Sequence, residues 1–163
     1  MAILSLLFGA VGCNKSTRAP KHTLSDITAV SIACGHMDRS YGYSFGIYKQ
    51  QESWLFDAEC FTHNNEIETT FEKCVIEAED VDELFEILER NDSVSYAEAY
   101  KPKANSSNTA DAEIYSFGLT FSDSTQCTTD DEQPELCRYF YRLAEKYEKT
   151  NSDKSDNKTE TEN

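Results

Sequence analysis

The sequence contains no apolar run long enough to cross a lipid bilayer. A transmembrane helix takes about 20 consecutive apolar residues, and the uncharged run at the start of the chain, Ala2 to Gly12, has 11. This run ends at small residues, as the apolar segment of a secretory signal peptide does before its cleavage site. The run therefore predicts export of the chain rather than a membrane-spanning segment.

Basic residues are also few. The chain of 163 residues has 15 Lys and Arg against 30 Asp and Glu, which gives a net charge of -15. Most of the negative charge falls on residues 24–147, and such a surface repels nucleic acid. We therefore expect no nucleic-acid partner. The preceding segment is positive instead, since it carries Lys15, Arg18 and Lys21, and an anionic bilayer attracts each of these by up to about 1 kcal/mol.

Several motifs of catalysis and cofactor binding are missing. The chain has neither a GxGxxG nor a GxxxxGK pattern, so no phosphate-binding loop is indicated, and it has no nucleophile elbow. The acidic clusters at 77–80 and 130–132 do not have the spacing of an EF-hand loop, and we interpret them as solvated surface. From these observations we expect no catalytic activity and no bound cofactor.

Small residues and a cysteine stand together after the first apolar run, in the order Ala10-Val11-Gly12-Cys13. This tetrapeptide resembles the lipobox of bacterial lipoproteins. The resemblance implies that Cys13 receives a diacylglycerol on its thiol and that residues 1–12 are removed as a signal peptide. It also implies anchoring on the extracytoplasmic face of the cell membrane, to which acyl chains contribute roughly 0.8 kcal/mol per buried CH₂.

The composition of the remaining chain predicts one folded domain between two polar segments. Hydrophobic residues make up 39% and aromatic residues 12% of the sequence, which is enough for a core despite the charge. We expect a lipidated tether at 13–23, a folded domain at 24–147 and a disordered acidic and polar tail at 148–163.

Alternation with a period of two predicts strands at 27–33, 41–50, 53–61, 66–76 and 113–121, and a short returning strand at 125–128. The second strand is the clearest, because large side chains alternate there with small residues such as Gly46. We expect an aromatic side chain or a close backbone to cover this bare glycine face. In the fourth strand, Phe71 and Val75 are expected to share one face, with Cys74 off it.

Spacing with a period of 3.6 predicts a helix from Glu79 or Asp80 to Arg90 and another from about Gln133 to Tyr147. Between them, Val94, Tyr96 and Tyr100 suggest one more short strand. The order predicts an α+β fold: a single antiparallel sheet, made of a meander of about four strands plus one or two later strands, with two helices packed on one face. This layout is similar to small uncharacterised lipoproteins of Gram-positive bacteria, a class that implies no particular activity.

Six cysteines are the first candidates for chemistry: Cys13, Cys34, Cys60, Cys74, Cys127 and Cys137. If Cys13 is acylated, the other five cannot all pair with one another. Cys127 with Cys137 and Cys60 with Cys74 are the pairs that sequence proximity suggests. Most of the five are equally well explained as small buried apolar side chains.

A metal site is the alternative hypothesis for two of these cysteines. Cys34 and His36, and likewise Cys60 and His63, come at the ends of predicted strands. In a simple meander the turns after the first and third strands lie at the same end of the sheet. Two thiolates and two imidazoles there would suit a tetrahedral Zn²⁺ ion.

Taken together, the sequence predicts a membrane-anchored extracytoplasmic lipoprotein with a small non-catalytic domain. Its expected role is binding or scaffolding at the cell envelope, where its partners are the membrane, through the lipid on Cys13, and an unidentified protein or envelope ligand. The alternative is a metal-binding or thiol-redox protein that uses Cys34, His36, Cys60 and His63. A third possibility is a eukaryotic secreted glycoprotein, since glycosylation sequons begin at residues 91, 105 and 157.

Overall fold

The computed structural model describes residues 20–36, 41–62, 66–101 and 113–156. After one turn of 3-10 helix at Leu24–Asp26 come six strands and three helices. In chain order they are β1 (Ile27–His36), β2 (Gly42–Gln50), β3 (Ser53–Thr62), β4 (Glu66–Val75), α1 (Ala78–Arg90), α2 (Ser93–Ala99), β5 (Glu113–Phe121), β6 (Gln126–Thr129) and α3 (Pro134–Asp156).

The strands form a single antiparallel sheet with the order β4-β3-β2-β1-β5-β6. The first four strands are a meander, and β5 returns after α1 and α2 to pair with the open edge of β1. A sheet built from hairpins can bury one face and leave the other to solvent. The α+β class, the meander and the later strand pair are confirmed.

One face of the sheet carries the hydrophobic core. Val30, Phe45, Phe56 and Phe117 from four neighbouring strands are each at most 1% exposed, and they alternate in sequence with more exposed residues, as a half-buried sheet requires. The ring of Phe140 from α3 lies parallel to that of Phe45, with centroids 5.7 Å apart. The aromatic residues that the sequence distributes over strands and final helix therefore meet in one layer.

The apolar faces of α1 and α3 cover this core. Leu84, Ile87 and Leu88 are the buried residues of α1, and α3 buries its residues at the predicted spacing, namely Leu136, Tyr139, Phe140, Leu143, Ala144 and Tyr147. The N-cap of α1 is Glu77 rather than Glu79 or Asp80. The helix cap therefore lies two or three residues before the predicted position.

Buried tyrosine hydroxyls join the start of α1 to α3. The Tyr147 hydroxyl donates to Asp80 Oδ2 at 2.6 Å and accepts from the Glu77 backbone N–H at 2.7 Å. The Tyr139 hydroxyl donates to the Asp80 carbonyl at 2.7 Å, and the Lys146 ammonium reaches the carboxylate of Asp80 at 2.8 Å. The bond from Glu77 satisfies an N–H group that the start of a helix leaves without an intrahelical partner, and the other three tie α3 to Asp80.

The predicted faces of β4 are wrong after Phe71. The register between β3 and β4 shifts, so that Ala58 faces Phe71 but Phe56 faces Cys74. Lys73 takes the left-handed conformation, with φ 55°, and its N–H donates to Asp57 Oδ1 at 2.6 Å. This bulge adds a residue to one strand and inverts the alternation beyond it. Cys74 consequently packs against the core and Val75 is 61% exposed.

The predicted strand at 94–100 is also wrong, because Ser93–Ala99 forms the short helix α2. Val94 and Ala97 are the buried apolar residues of this segment. Their spacing of three fits a helix, and alanine and glutamate favour one. A segment of seven residues is too short for its periodicity to separate the two structures.

The last helix is longer than the sequence predicts. It continues past Tyr147 to Asp156, so it enters the tail at 148–163 that we expected to be disordered. Glu148 still contacts the sheet, since its Oε1 accepts a hydrogen bond from Thr69 at 3.1 Å. Once packing has formed the first turns, adding a polar residue to a helix costs little, which explains the extension.

The opposite face of the central strands carries mainly small residues, and Tyr48 of β2 lies on it with its hydroxyl 3.4 Å from Asp57 Oδ1. Gly46 faces Ser31 across the β1–β2 pair, and Ser31 faces Gly118 across the β1–β5 pair. A Cβ atom added at Gly46 would meet nothing within 4 Å, so the cover expected over Gly46 is not found among the described residues. At Gly118 the same atom would lie 2.7 Å from Ser31 Oγ.

Replacing Gly46 by alanine should therefore stabilise the domain. Glycine inside a strand costs about 0.5–1 kcal/mol relative to alanine, and the added methyl group meets open space. Gly118→Ala should gain less, since Ser31 must rotate away, and the Ser31→Ala background should remove that difference. Urea denaturation measures the free energy of unfolding of all four variants. Loss of stability in Gly46→Ala would show that another part of the chain covers this face.

Candidate functional site

The sequence-predicted site residues lie only partly within the described structure. Cys13 and His63 are outside the described residues, and His36 is described only as the last residue of β1. Cys34 and Cys60 are described, and both lie near the same end of the sheet, as the meander requires.

The register nevertheless keeps these two thiols apart. Cys34 faces Tyr43 on β2, and Tyr43 faces Cys60 on β3, so a whole strand separates them. Two strand spacings amount to about 10 Å, whereas two thiolates on one zinc ion lie within about 4.6 Å of each other. The structure does not bring Cys34 and Cys60 together as a ligand pair, and the four-residue site stays a prediction.

Burial and hydrogen bonding dominate the chemistry of the thiols. Tyr43 Oη lies 2.9 Å from Cys137 Sγ. Burial raises the pKa of the Cys34 thiol to about 11, and burial raises that of Cys137 as well, partly offset by Tyr43. Nucleophilic attack and metal binding use the thiolate. These two side chains are therefore held as thiols at neutral pH.

The structure forms neither of the suggested cysteine pairs. Cys127 and Cys137 are separate thiols. Cys60 faces Thr69 while Cys74 faces Phe56, so the two cysteines of the β3–β4 hairpin are offset along the strands rather than opposite each other. A disulfide needs Cα atoms within about 7 Å, which this register does not give them.

A polar cavity lies between the α1–α2 junction and the first turn of α3. Its volume is about 350 Å³, and it is lined by Asn91, Ser93, Tyr96, Gln133, Pro134, Glu135 and Arg138. This size falls within the range of small-molecule sites. Both helix ends that meet here carry polar backbone groups, positive at the start of α3 and negative at the end of α1.

Some of the lining groups already have partners. Glu135 accepts from the Arg90 guanidinium and from Asn91 Nδ2, and these bonds hold its pKa below the ordinary value, with Arg90 the larger cause. Tyr96 donates to Asp131. These contacts fix the walls of the cavity without involving a ligand.

Other lining groups lack partners among the described residues, and they are mainly donors. Ser93 is 2% exposed and its Oγ makes no hydrogen bond. Arg142 pairs with Glu83, and Arg90 with Glu135, whereas no carboxylate pairs with Arg138. Pro134 has no N–H, so Glu135 and Leu136 supply the unpaired amides of the first turn. The cavity therefore offers hydrogen-bond donors beside the carboxylate of Glu135, which Arg90 neutralises.

A second polar cluster surrounds His22, at the end of the sheet where β1 begins. The imidazole side chain is 7% exposed and stacks on Phe121, with ring centroids 4.0 Å apart and planes 6° apart. Its Nδ1 lies 2.6 Å from Glu98 Oε1 and its Nε2 lies 3.2 Å from Asp123 Oδ2. The hydrogen bonds that the ring makes to Asp123, the larger cause, and to Glu98 raise the pKa of His22 above its ordinary value.

Backbone contacts extend this cluster to the residue before it. The N–H groups of Lys21 and His22 donate to the two oxygens of Glu98, at 2.6 and 3.0 Å, and Lys21 Nζ lies 2.8 Å from Asp123 Oδ2. Lys21 and His22, which the sequence assigns to the tether at 13–23, thus contact Glu98 and Asp123 of the domain. We call residues 20–23 the N-terminal arm.

Sequence reasoning missed both clusters for the same reason. His22 stands in a polar segment without periodicity, and its partners Glu98 and Asp123 follow 76 and 101 residues later. The cavity likewise joins residues near 91 to residues near 135. One available signal was a lone histidine placed directly before the first apolar strand, close to a change from basic to acidic composition.

Comparison with known proteins finds no match. No protein-family model, no curated protein and no solved structure matches this chain. Across the described ranges, none of the helices is both long enough and apolar enough to span a membrane.

The thiol of Cys34 should react slowly in the folded protein. A pKa near 11 instead of 9 lowers the thiolate fraction at neutral pH about a hundredfold, and burial slows access further. Iodoacetamide labelling followed by peptide mass spectrometry measures the rate in native protein and in protein unfolded in urea. Labelling of native Cys34 at the unfolded rate would contradict this and would favour thiol chemistry.

Proposed function

We propose that this chain is a membrane-anchored extracytoplasmic lipoprotein whose α+β domain has a binding or scaffolding role at the cell envelope, without catalysis. The lipobox-like segment ending in Cys13 supplies the anchor, and the positively charged residues after it favour an anionic membrane surface. The acidic domain is repelled by that surface, so domain and anchor are separate in function.

The observation that supports the proposal is the position at which the tether joins the folded domain. His22 is buried between Glu98 and Asp123, so the chain is attached to the domain at that point rather than at residue 24. Only residues 14–19 then separate the lipidated cysteine from the arm, and six residues span at most about 20 Å. Such a short connection holds a binding domain close to the bilayer.

The cavity beside α3 is the site that we assign to ligand binding. Its free donors are the Arg138 guanidinium, the Ser93 hydroxyl and the first amides of α3. A planar guanidinium next to a helix N-terminus suits a carboxylate, which accepts two parallel hydrogen bonds from arginine. We therefore infer a ligand that presents a carboxylate, as a small solute or as the end of a peptide.

Thiol-redox or metal chemistry at Cys34, His36, Cys60 and His63 is the second candidate. The shared end of Cys34 and Cys60 favours it, but the strand between them and the raised pKa of Cys34 favour the binding role. The labelling rate of Cys34 separates the two candidates.

Replacing the anchor residue should release the protein. Cys13→Ser removes the thiol that the lipid requires, so the natively expressed variant should move from the membrane fraction to the soluble extracytoplasmic fraction. Immunoblotting after fractionation measures this, and Cys34→Ser is the matched control that should stay with the membrane. Equal membrane association of wild type and Cys13→Ser would remove the anchor from the proposal.

Acetate should bind the cavity more strongly than acetamide, because only the anion complements the guanidinium. In an amide NMR titration we expect shifts at residues 91–96 and 133–138. Arg138→Gln should weaken them by about tenfold, the size expected for a charge-assisted hydrogen bond.

Arg142→Gln is the control on the same helix, since Arg142 already pairs with Glu83 at its exposed surface. Equal responses to acetate and acetamide, or an unchanged response in Arg138→Gln, would contradict the assignment of the cavity.

A further inference from the structure

The N-terminal arm contacts two parts of the domain that are far apart in the sequence. His22 contacts Glu98 near the end of α2 and Asp123 in the turn between β5 and β6. The arm also packs on the core, because the ring of His22 stacks on Phe121, which is itself 1% exposed. The arm thus lies between α2 and the sheet.

The geometry around the ring specifies its protonation state. Each ring nitrogen of His22 faces a carboxylate oxygen, and a carboxylate accepts but does not donate. A neutral imidazole has one N–H and one lone pair, whereas an imidazolium has two N–H groups. Only the imidazolium can therefore donate to Glu98 and Asp123 at once, and loss of its proton leaves a lone pair facing one of them.

The other charged groups near His22 set the range of pH in which its ring is an imidazolium. Lys21 opposes the positive charge on His22 but also neutralises Asp123, whose pKa it lowers strongly. Burial alone would raise the pKa of Glu98, but the Lys21 N–H and His22 lower it on balance. Asp26 lies close enough to feel the charge on His22, and Cys127 faces Lys21 from β6.

Besides the arm, the buried Val94 and Ala97 hold the short helix α2 against the core, and its Tyr96 donates to Asp131. Ser93 at its start and Tyr100 at its end have buried hydroxyls that form no hydrogen bond with any described residue. Asp92 before it is in the left-handed conformation, with φ 48°, and gives no side-chain cap. Unsatisfied buried hydroxyls cost free energy, so α2 depends on its remaining contacts, those with the arm included.

We propose that the N-terminal arm is a proton-dependent latch, closed while His22 is an imidazolium and opened when His22 loses its proton, and that opening loosens α2. Because Ser93 and Tyr96 of α2 line the cavity beside α3, the latch links the root of the tether to the shape of that cavity. Opening also frees four arm residues, which lengthens the tether by up to about 14 Å.

The sign of the pH dependence follows from the two states. The pKa of His22 is above 6.5 when the latch is closed and ordinary when it is open. The stabilisation is therefore complete below pH 6.5 and is lost as the pH rises through the pKa of the closed state. Between pH 6.5 and the pKa of the closed state, the equilibrium constant for opening rises about tenfold per pH unit. Glu98 and Asp123 have pKa values below their ordinary ones. At a pH low enough to protonate them, the latch loses its carboxylate partners.

NMR of the whole folded chain tests the latch. The His22 ring signals give its pKa, and amide hydrogen exchange, expressed as protection factors, reports opening at residues 20–23 and 93–99. We expect a His22 pKa above 6.5 and protection that falls by up to tenfold per pH unit above pH 6.5, while protection at Leu119 in β5 stays constant.

Two variants separate the latch from a general effect of pH. His22→Gln keeps a polar side chain without a titrating proton, so its arm and α2 should show low, pH-independent protection. A variant with His36→Gln and His63→Gln leaves His22 as the one remaining histidine and should behave as wild type. A wild-type His22 pKa at or below 6.5 would overturn the proposal, as would α2 protection that does not change with pH, whether or not His22→Gln folds.

Discussion

Burial of a single face of the sheet is the constraint on which the rest of the structure depends. The stack of Phe140 on Phe45 joins α3 to the central strands, and Val30, Phe56 and Phe117 lie buried on the same side of the sheet. The bulge at Lys73 departs from this pattern, since it turns Cys74 toward the core and leaves Val75 exposed on an edge strand. The helices α1 and α3, which carry the apolar stripes, are also joined by polar contacts at Asp80.

Because the core occupies one face of the sheet, the cavity and the His22 cluster lie at its borders. Helix ends that meet above the sheet form the donor-lined cavity, and the arm covers Phe121 where β5 ends. The short helix α2 takes part in both, with Ser93 and Tyr96 at the cavity and Glu98 at His22. In the proposed function, this one element of seven residues would connect the anchor with the binding surface.

Elements with strong periodicity are predicted correctly from the sequence. The prediction fails where an interaction that periodicity does not show determines the structure. Strand β5 is predicted with its observed bounds, since its apolar residues alternate without a break. The faces of β4 are wrong because a hydrogen bond to Asp57 stabilises a left-handed residue, which periodicity cannot show. α2 is too short to have a readable period, and His22 gains its role from partners far away in the sequence. Cys34 and Cys60 lie near one end of the sheet, and the register places Tyr43 of the intervening strand directly between them.

The central claim is that a lipid on Cys13 anchors this domain beside a membrane. The most direct test is the intact mass of the natively expressed protein from the membrane fraction. The account predicts a mass that lacks residues 1–12 and includes a diacylglycerol on the new N-terminal cysteine. An unprocessed chain that begins at Met1 and carries no lipid would contradict the claim, and the extracytoplasmic location would lose its support as well.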